Sequence, residues 1–269
     1  IKFQPSEMMK IIVPISIASI LSERTLPPRA LMSLISLTVI IVVVSLIALQ
    51  PDLGTSLLIG ASGVYVLFFS GVNIRLVKNT WLNLGLLFGI LSGALYVAWN
   101  YLLMPYQQKR IITLFNPESD PLGSGYHIIQ SKIAIGSGGL SGKGLNQGSQ
   151  SQLDFVPESS TDFIFSVLAE ETGFIGVLFL LFIYLLIIYR CMDLSMRCED
   201  NFSRLLGASL TFIFFTYVFV NIGMVSGLLP VVGVPLPLIS YGGSSLITLM
   251  TSLGIIMSIY KHKTPRYIK

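Results

Sequence analysis

The chain has 269 residues, 53% of them hydrophobic and only 11% charged, with a mean hydropathy of +0.78. That composition excludes an ordinary soluble domain and identifies an integral membrane protein. The net charge of +4 does not argue for a nucleic-acid partner, because the basic residues are spread among loops and ends rather than gathered on one face.

Apolar runs of roughly 20 residues recur, each enough to cross the hydrocarbon core as a helix, and no alternating ten-residue pattern suggests a barrel. The expected fold class is therefore all-α, a polytopic helix bundle. Seven spans are predicted, at about 5–21, 31–49, 54–70, 81–103, 161–189, 204–225 and 239–260. The opening IKFQPSEMMK has neither an initiator Met nor a signal peptide, which predicts a numbering that begins inside a longer protein. Between the spans lie short loops and one long stretch, from Pro105 to Ser160. Eleven of the seventeen Lys and Arg fall on one side of this alternation, which is thereby expected to be cytoplasmic, with the C-terminal tail on that side. The QPDLG turn, the 105–160 loop and the proline-rich 226–238 segment then face outward. Nine of the thirteen acids also lie outside or in the outer half of a span, so any chemistry is expected there.

In chain order, the first polar constellation is Glu7 and Lys10 in FQPSEMMK, at the i,i+3 spacing of a helical ion pair. Such a pair either fixes the helix or serves a cavity, where Lys10 could meet a phosphate as a point charge. Asp52, beside Pro and Gly in QPDLGTS, reads as a cap for the next helix rather than as a catalytic group. In the long loop, PYQQKRIITLFNPESDPLGSGYHIIQSKIAIG mixes apolar runs with Lys109, Arg110, His127, Gln130 and Lys132. It predicts an amphipathic element near the membrane surface, suited to interfacial anchoring or to a phosphorylated headgroup. The following IGSGGLSGKGLNQGSQSQLDF is glycine-rich but is not a phosphate loop: Ser137 stands where Gly is required and Gly144 where Ser or Thr is. It reads as a linker or, since long loops in compact proteins are commonly functional, as a lid or binding loop.

SSTDFIFSVLAEETG opens the fifth span with Asp162, Glu170 and Glu171. Asp162 suits a helix start, where an acid is favoured by the dipole. The two glutamates sit roughly 12–14 Å deeper at helical rise, and intramembrane acids ordinarily face a cavity or a partner. Glu170 is nearer in phase to Asp162 and is the better candidate for a shared polar funnel. SGLLPVVGVPLPLISYGGSS carries three prolines and several glycines between two spans, so its backbone is expected to dip and re-emerge against a cavity. Cys191 and Cys198 are expected to be free thiols in a solvated cytoplasmic loop. With His127 and His262 they are too scattered for a four-ligand zinc site.

Taken in order, QPSEMMK, QPDLGTS, NPESDPLGSGYHIIQSKIAIGSGGLSGKG, QSQLDFVPESSTDFIFSVLAEETG and NIGMVSGLLPVVGVPLPLISYGG resemble the SEDS family of bacterial cell-wall proteins. Within it the resemblance is to the RodA branch more than to the FtsW branch, and it covers nearly the whole chain. It implies a ten-span fold of which the first three spans are absent, residues 1–269 forming one SEDS membrane domain with 105–160 as its large extracytoplasmic loop. It further implies a peptidoglycan glycosyltransferase of the bacterial inner membrane. Such an enzyme polymerises lipid II into glycan strands outside the cytoplasmic membrane, during elongation and cell-shape maintenance, beside a class B penicillin-binding protein. The family's essential acid falls on Asp162, and its Glu and Lys fall on Glu7 and Lys10.

The implied reaction is attack of an acceptor 4-hydroxyl on the donor's anomeric carbon, with inversion and loss of polyprenyl diphosphate. It needs a general base, for which Asp162 is the expected choice, and cationic groups or a divalent cation, Mg or Mn, to meet the charge on the diphosphate. Lys10, and secondarily Arg110 or Lys132, are expected to bind that diphosphate, with Glu7 and Glu170 orienting Lys10 or assisting a metal whose ligands stay undefined. Two other readings stay open at this point: a lipid II flippase, and an inactive truncated remnant.

Overall fold

The computed structural model describes residues 4–22, 26–50, 52–72, 80–121, 123–152, 158 and 160–261. All seven expected segments are helical. The first four are α1 (Pro5–Ser22), α2 (Ala30–Ala48), α3 (Leu53–Phe69) and α4 (Thr80–Val97), the last prolonged by a π turn at Ala98–Leu102. Next come the long loop's own helices, α5 (Pro105–Phe115), α6 (Ser124–Ser137) and the single turn α7 (Ser149–Gln152). The last three spans are α8 (Ile164–Met196), α9 (Asn201–Val225) and α10 (Gly243–Lys261). By length and composition α1, α2, α8, α9 and α10 can each cross a membrane, and α3 is a shorter apolar helix. No strand occurs among the described residues, and the protein is an all-α, multi-pass membrane bundle.

Helix α9 is the axis of this bundle, packed on α8, α3, α1 and α10. Its N-terminal half buries Leu205, Leu206 and Leu210 against Ile17 and Leu21 of α1 and Ile59 and Val66 of α3. Its C-terminal half buries Phe214, Tyr217 and Met224 against Phe163, Phe165, Tyr184 and Leu236. In lipid, apolar side chains gain little merely by meeting one another, so close approach and interhelical hydrogen bonds carry the association. Gly63 of α3 shows the first: a Cβ there would lie 2.5 Å from Cγ1 of Ile40 on α2. Ser209 shows the second, its Oγ donating to the Ser62 carbonyl at 2.7 Å across the α9–α3 contact.

Three boundaries differ from the expectation. Helix α8 begins at Ile164 and runs on through Cys191 to Met196, so the expected cytoplasmic loop shrinks to the turn at 197–200. Asp193 supports this extension by accepting from Arg190 Nη1 at 3.2 Å and from Arg197 Nε at 2.8 Å, the i,i+3 and i,i+4 partners of a helix. Asp200 then caps α9 by accepting from Ser203 N at 2.8 Å. Neither cysteine is in a disulfide, but Cys191 is helical and Cys198 is buried rather than solvated. Helix α10 starts at Gly243, later than expected, because the chain turns through 237–240 with Leu238 at φ 65°. The C-terminal tail from 262 lies outside the described residues.

The long loop is structured. Its amphipathic stretch forms α5 and α6, and its glycine-rich part docks on α8. That docking uses a break at Gly173, whose φ 66° and ψ −166° belong to a region essentially reserved for glycine. Phe174 N and Ile175 N donate to the Gly139 and Leu140 carbonyls at 2.9 and 3.1 Å. In return, Lys143 N and Gly144 N donate to the Glu170 and Glu171 carbonyls, both at 3.0 Å. The two backbones are so close that a Cβ on Gly142 would lie 2.1 Å from the Glu171 oxygen.

Candidate functional site

The first turns of α1 present Glu7 and Lys10, both buried. Lys10 Nζ donates to the Glu7 carboxylate and to the hydroxyl of Tyr217 on α9, and it also lies over the Tyr217 ring. A buried charge is tolerable only when paired and hydrogen-bonded, and this triad meets that need. One turn further along α9, Asn221 faces the chain at 160–163 and the irregular segment that follows α9. Its Nδ2 donates to the Asp162 carbonyl at 2.8 Å and to the Val234 carbonyl at 2.7 Å. Ser240 adds a second tie, its Oγ donating to the Thr161 carbonyl at 2.6 Å while accepting from Leu236 N at 2.7 Å. Tyr241 N donates to the Ser160 carbonyl at 3.0 Å, and Tyr184 OH donates to that of Pro237 at 2.7 Å. The proline-rich segment thus does dip back against protein, with its carbonyls satisfied by side chains of the neighbouring spans.

These elements enclose a cavity of about 440 Å³ lined by Glu7, Lys10, Asp52, Thr55, Glu158, Asp162, Tyr217 and Gly233, among others. Asp162, two residues ahead of α8, is partly buried in its wall. Gly233, at φ 73°, brings bare backbone to this carboxylate, since a Cβ there would sit 3.3 Å from Asp162 Oδ2. Burial holds the Asp162 carboxyl above the ordinary aspartate range, and the Glu158 charge pushes it the same way, while the Arg110 guanidinium opposes them. Such a carboxylate is a stronger base than a solvated one and can accept a proton from a substrate hydroxyl. Asp52 behaves as the sequence indicates: it caps α3, accepting from Thr55 N at 3.0 Å, and also accepts from Gln4 Nε2 at 3.0 Å. The Thr55 hydroxyl is buried in the cavity wall with no hydrogen-bond partner among the described residues.

The other expected site residues are distributed differently. Arg110 lines an adjoining cavity of about 400 Å³ that shares Asp52, where its Nη1 donates to the Val231 carbonyl at 3.1 Å. His127 is not among the cavity-lining residues, and its ring is stacked on Phe163 at 5.5 Å. Burial pushes its imidazole below the usual histidine range, although Glu158 pulls the other way. Gln130, one turn along α6, is half-buried and is not among the cavity-lining residues. Lys132 is exposed and lies over Gly227, where a Cβ would meet its Cε at 2.2 Å. Glu170 does not share a funnel with Asp162. It is fully buried against the long loop, accepting from Lys143 Nζ at 2.7 Å and Gln150 N at 3.0 Å. The reason is that Asp162 precedes the helix, so helical phase does not carry from 162 to 170. Glu171, beside it, accepts from Asn146 N at 3.0 Å and so also serves the loop.

The ligands of the expected Mg or Mn stay undefined. Among the described residues no three His, Cys, Asp or Glu side chains gather closely enough to hold a metal ion, and Glu7 is already taken by Lys10.

Tyr217, Asn221 and Ser240 were not singled out from the sequence. Tyr217 and Asn221 carried a legible signal, since they are polar groups one turn apart in an apolar span, where partners are needed. Ser240 carried none, being one serine among several in a turn.

A family model described as FtsW, RodA and SpoVE cell cycle protein matches residues 1–265. The peptidoglycan glycosyltransferase MrdB of Escherichia coli K12 is 52% identical over 263 residues, covering 98% of this chain and 69% of that protein. The peptidoglycan glycosyltransferase RodA of Treponema pallidum is 47% identical over 157 residues, 58% of this chain and 36% of that one. Among solved structures, a chain from a peptidoglycan synthase complex that coordinates polymerization and crosslinking superposes with a TM-score of 0.77 at 34% identity, covering 98% of this chain and 72% of that chain. The rod shape determining protein RodA of Thermus thermophilus superposes with a TM-score of 0.63 at 29% identity, covering 98% and 67%. The chain belongs to the FtsW, RodA and SpoVE family.

Proposed function

We propose that this chain is a peptidoglycan glycosyltransferase that polymerises lipid II into glycan strands during cell elongation, with Asp162 as its general base. The observation that carries the reading is the meeting of Asp162 with the Glu7–Lys10–Tyr217 triad around one cavity, although residues 7–10, 162 and 217 lie far apart in the sequence. An acceptor 4-hydroxyl placed there gives its proton to the Asp162 carboxylate as its oxygen bonds to the donor's anomeric carbon. The bond from that carbon to the diphosphate breaks, and the leaving group carries away the electron pair. Lys10, held by Glu7 and Tyr217, lies ready as a fixed positive charge for that diphosphate, and Arg110 supplies a second from the adjoining cavity. No step is assigned to a metal, since among the described residues no three His, Cys, Asp or Glu side chains gather to hold one by themselves.

The cavity is assigned to the extracytoplasmic side on the positive-inside distribution of Lys and Arg. A class B penicillin-binding protein is the proposed partner, in keeping with the synthase complex that a solved relative belongs to. The test is reconstitution of the full-length protein with that partner in vesicles, following conversion of lipid II to glycan chains. Asp162→Asn is expected to abolish polymerisation while leaving expression and membrane insertion intact. Polymerisation at the parent rate would remove Asp162 as the base.

A further inference from the structure

We infer that Asn221 is a positioning residue, which holds the Asp162 turn and the opposite cavity wall at a fixed separation; this rests on the reading of Asp162 as the general base. Asp162 is not on a helix: α8 starts at Ile164, and residues 160–162 form a turn. A turn has few backbone bonds of its own with which to resist displacement, yet general-base catalysis needs its carboxylate within hydrogen-bond reach of one hydroxyl. The restraint comes from outside. One side-chain amide on α9 donates its two hydrogens to two different elements, the Asp162 carbonyl and the Val234 carbonyl. Because both acceptors are carbonyls, the amide's orientation is set by its partners: the NH₂ must face them.

Geometry on both sides of the amide makes the restraint relevant to the carboxylate itself. Val234 follows Gly233, the residue whose bare backbone faces Asp162 Oδ2. Fixing Val234 and Asp162 to the same Nδ2 therefore fixes the gap in which the carboxylate sits. Asn221 is fully buried, and its Oδ1 has no hydrogen-bond partner among the described residues. A buried acceptor left unmade is unfavourable, and an apolar side chain of similar size would fill the space without it. What an apolar residue cannot supply is the pair of donors. Lys10, four residues of α9 away through Tyr217, is tied to the same helix, so the base and the cation share one rigid support.

The test compares Asn221→Val, which loses both donors, Asn221→Ser, which can keep one, and Ser240→Ala, which removes only the parallel tie to the Thr161 carbonyl. Each full-length variant is reconstituted with the penicillin-binding partner and assayed with lipid II, beside Asp162→Asn. The expected result is a fall in kcat of about 100-fold for Asn221→Val, the order of loss that a misplacement of about 1 Å produces. KM for lipid II should stay within about twofold, with partial recovery in Asn221→Ser. Loss of kcat only in proportion to folded protein would make Asn221 merely structural and overturn the inference. Parent kcat in folded Asn221→Val would overturn it too. If Asn221→Val does not fold, Ser and the Ser240→Ala variant decide: an unchanged kcat in both refutes the restraint. Asp162→Asn separates the two levels, since parent activity there removes the base itself rather than its support.

Discussion

Replacing Lys143 by methionine should release the glycine-rich loop from α8. The lysine ammonium donates to Glu170 at 2.7 Å and to the Ser149 hydroxyl at 2.8 Å, and the carboxylate it meets has no exposed surface. Breaking one partner of a fully buried pair costs about 3–5 kcal/mol. Two features lower that figure here. The Lys143 side chain is 29% exposed, and the carboxylate keeps the Gln150 amide at 3.0 Å with the Ser149 and Ser137 hydroxyls at 3.3 and 3.4 Å. A loss of about 2 kcal/mol follows, or about a thirtyfold rise in the opening of the loop. Hydrogen exchange in lipid nanodiscs reads this directly at the amides of Lys143, Gly144, Phe174 and Ile175, which carry the bonds between loop and helix. The double replacement Lys143→Met with Glu170→Gln should restore part of the protection, because no charge is left unpaired while the amide oxygen can still accept from Gln150 N. Unchanged exchange in the single variant, or an equally fast double variant, would refute the assignment of the pair as the latch.

The pH dependence of polymerisation carries the sign of Asp162's environment. The base works ionised, so activity falls on acidification, and burial together with Glu158 places that fall above the ordinary aspartate range. Glu158→Gln removes a charge that favours the protonated form and should move the acid limb to lower pH; Arg110→Gln should move it to higher pH, both read from rate profiles. Gly173→Ala forces a Cβ to within 2.2 Å of Gly142 N at a backbone angle other residues avoid. It should cost at least about 1–3 kcal/mol, seen as a lower melting temperature and faster exchange in the 139–146 loop. Glu7→Gln leaves the Lys10 ammonium buried without its counter-charge, a loss of about 3–5 kcal/mol. A depressed melting point with loss of polymerisation is expected, and parent-like values for both would show the pair to be dispensable.

Much of the bundle was legible because lipid imposes a simple rule, that a spanning segment must be apolar and helical. The seven segments follow from it, and so does the weight given to Glu7 and Lys10, since charges in such segments need a reason, whereas Asp162 read as a helix-starting acid until the family resemblance singled it out. What was not legible depended on where helices stop. The phase argument that joined Glu170 to Asp162 assumed one continuous helix, whereas the helix begins after Asp162 and breaks at Gly173. Both departures arise from contacts with residues far away in sequence: Ser240 and Asn221 for the first, Gly139 to Gly144 for the second. The expected cytoplasmic loop was over-long for a local reason instead, because Asp193 pairs with Arg190 and Arg197 at helical spacing where charge density alone suggested solvent.

The division of labour among the charges has a physical basis in the placement of Asp162. A carboxylate on a continuous helix is rigid but has a fixed direction along that helix face, and deep in a span it must be neutralised, as Glu7 and Glu170 are by lysines. A carboxylate on a turn at the cavity wall can stay without a lysine partner and thereby keep its lone pairs for a substrate proton. The cost of a turn is looseness, and here it is offset by bonds from side chains of two other elements rather than by an ion pair. Those bonds reach the backbone carbonyls of Thr161 and Asp162 and so do not themselves occupy the carboxylate. An ion pair would have held Asp162 equally well, but it would have lowered the basicity that burial and Glu158 raise. Support through the main chain is thus the arrangement that gives a base both position and proton affinity.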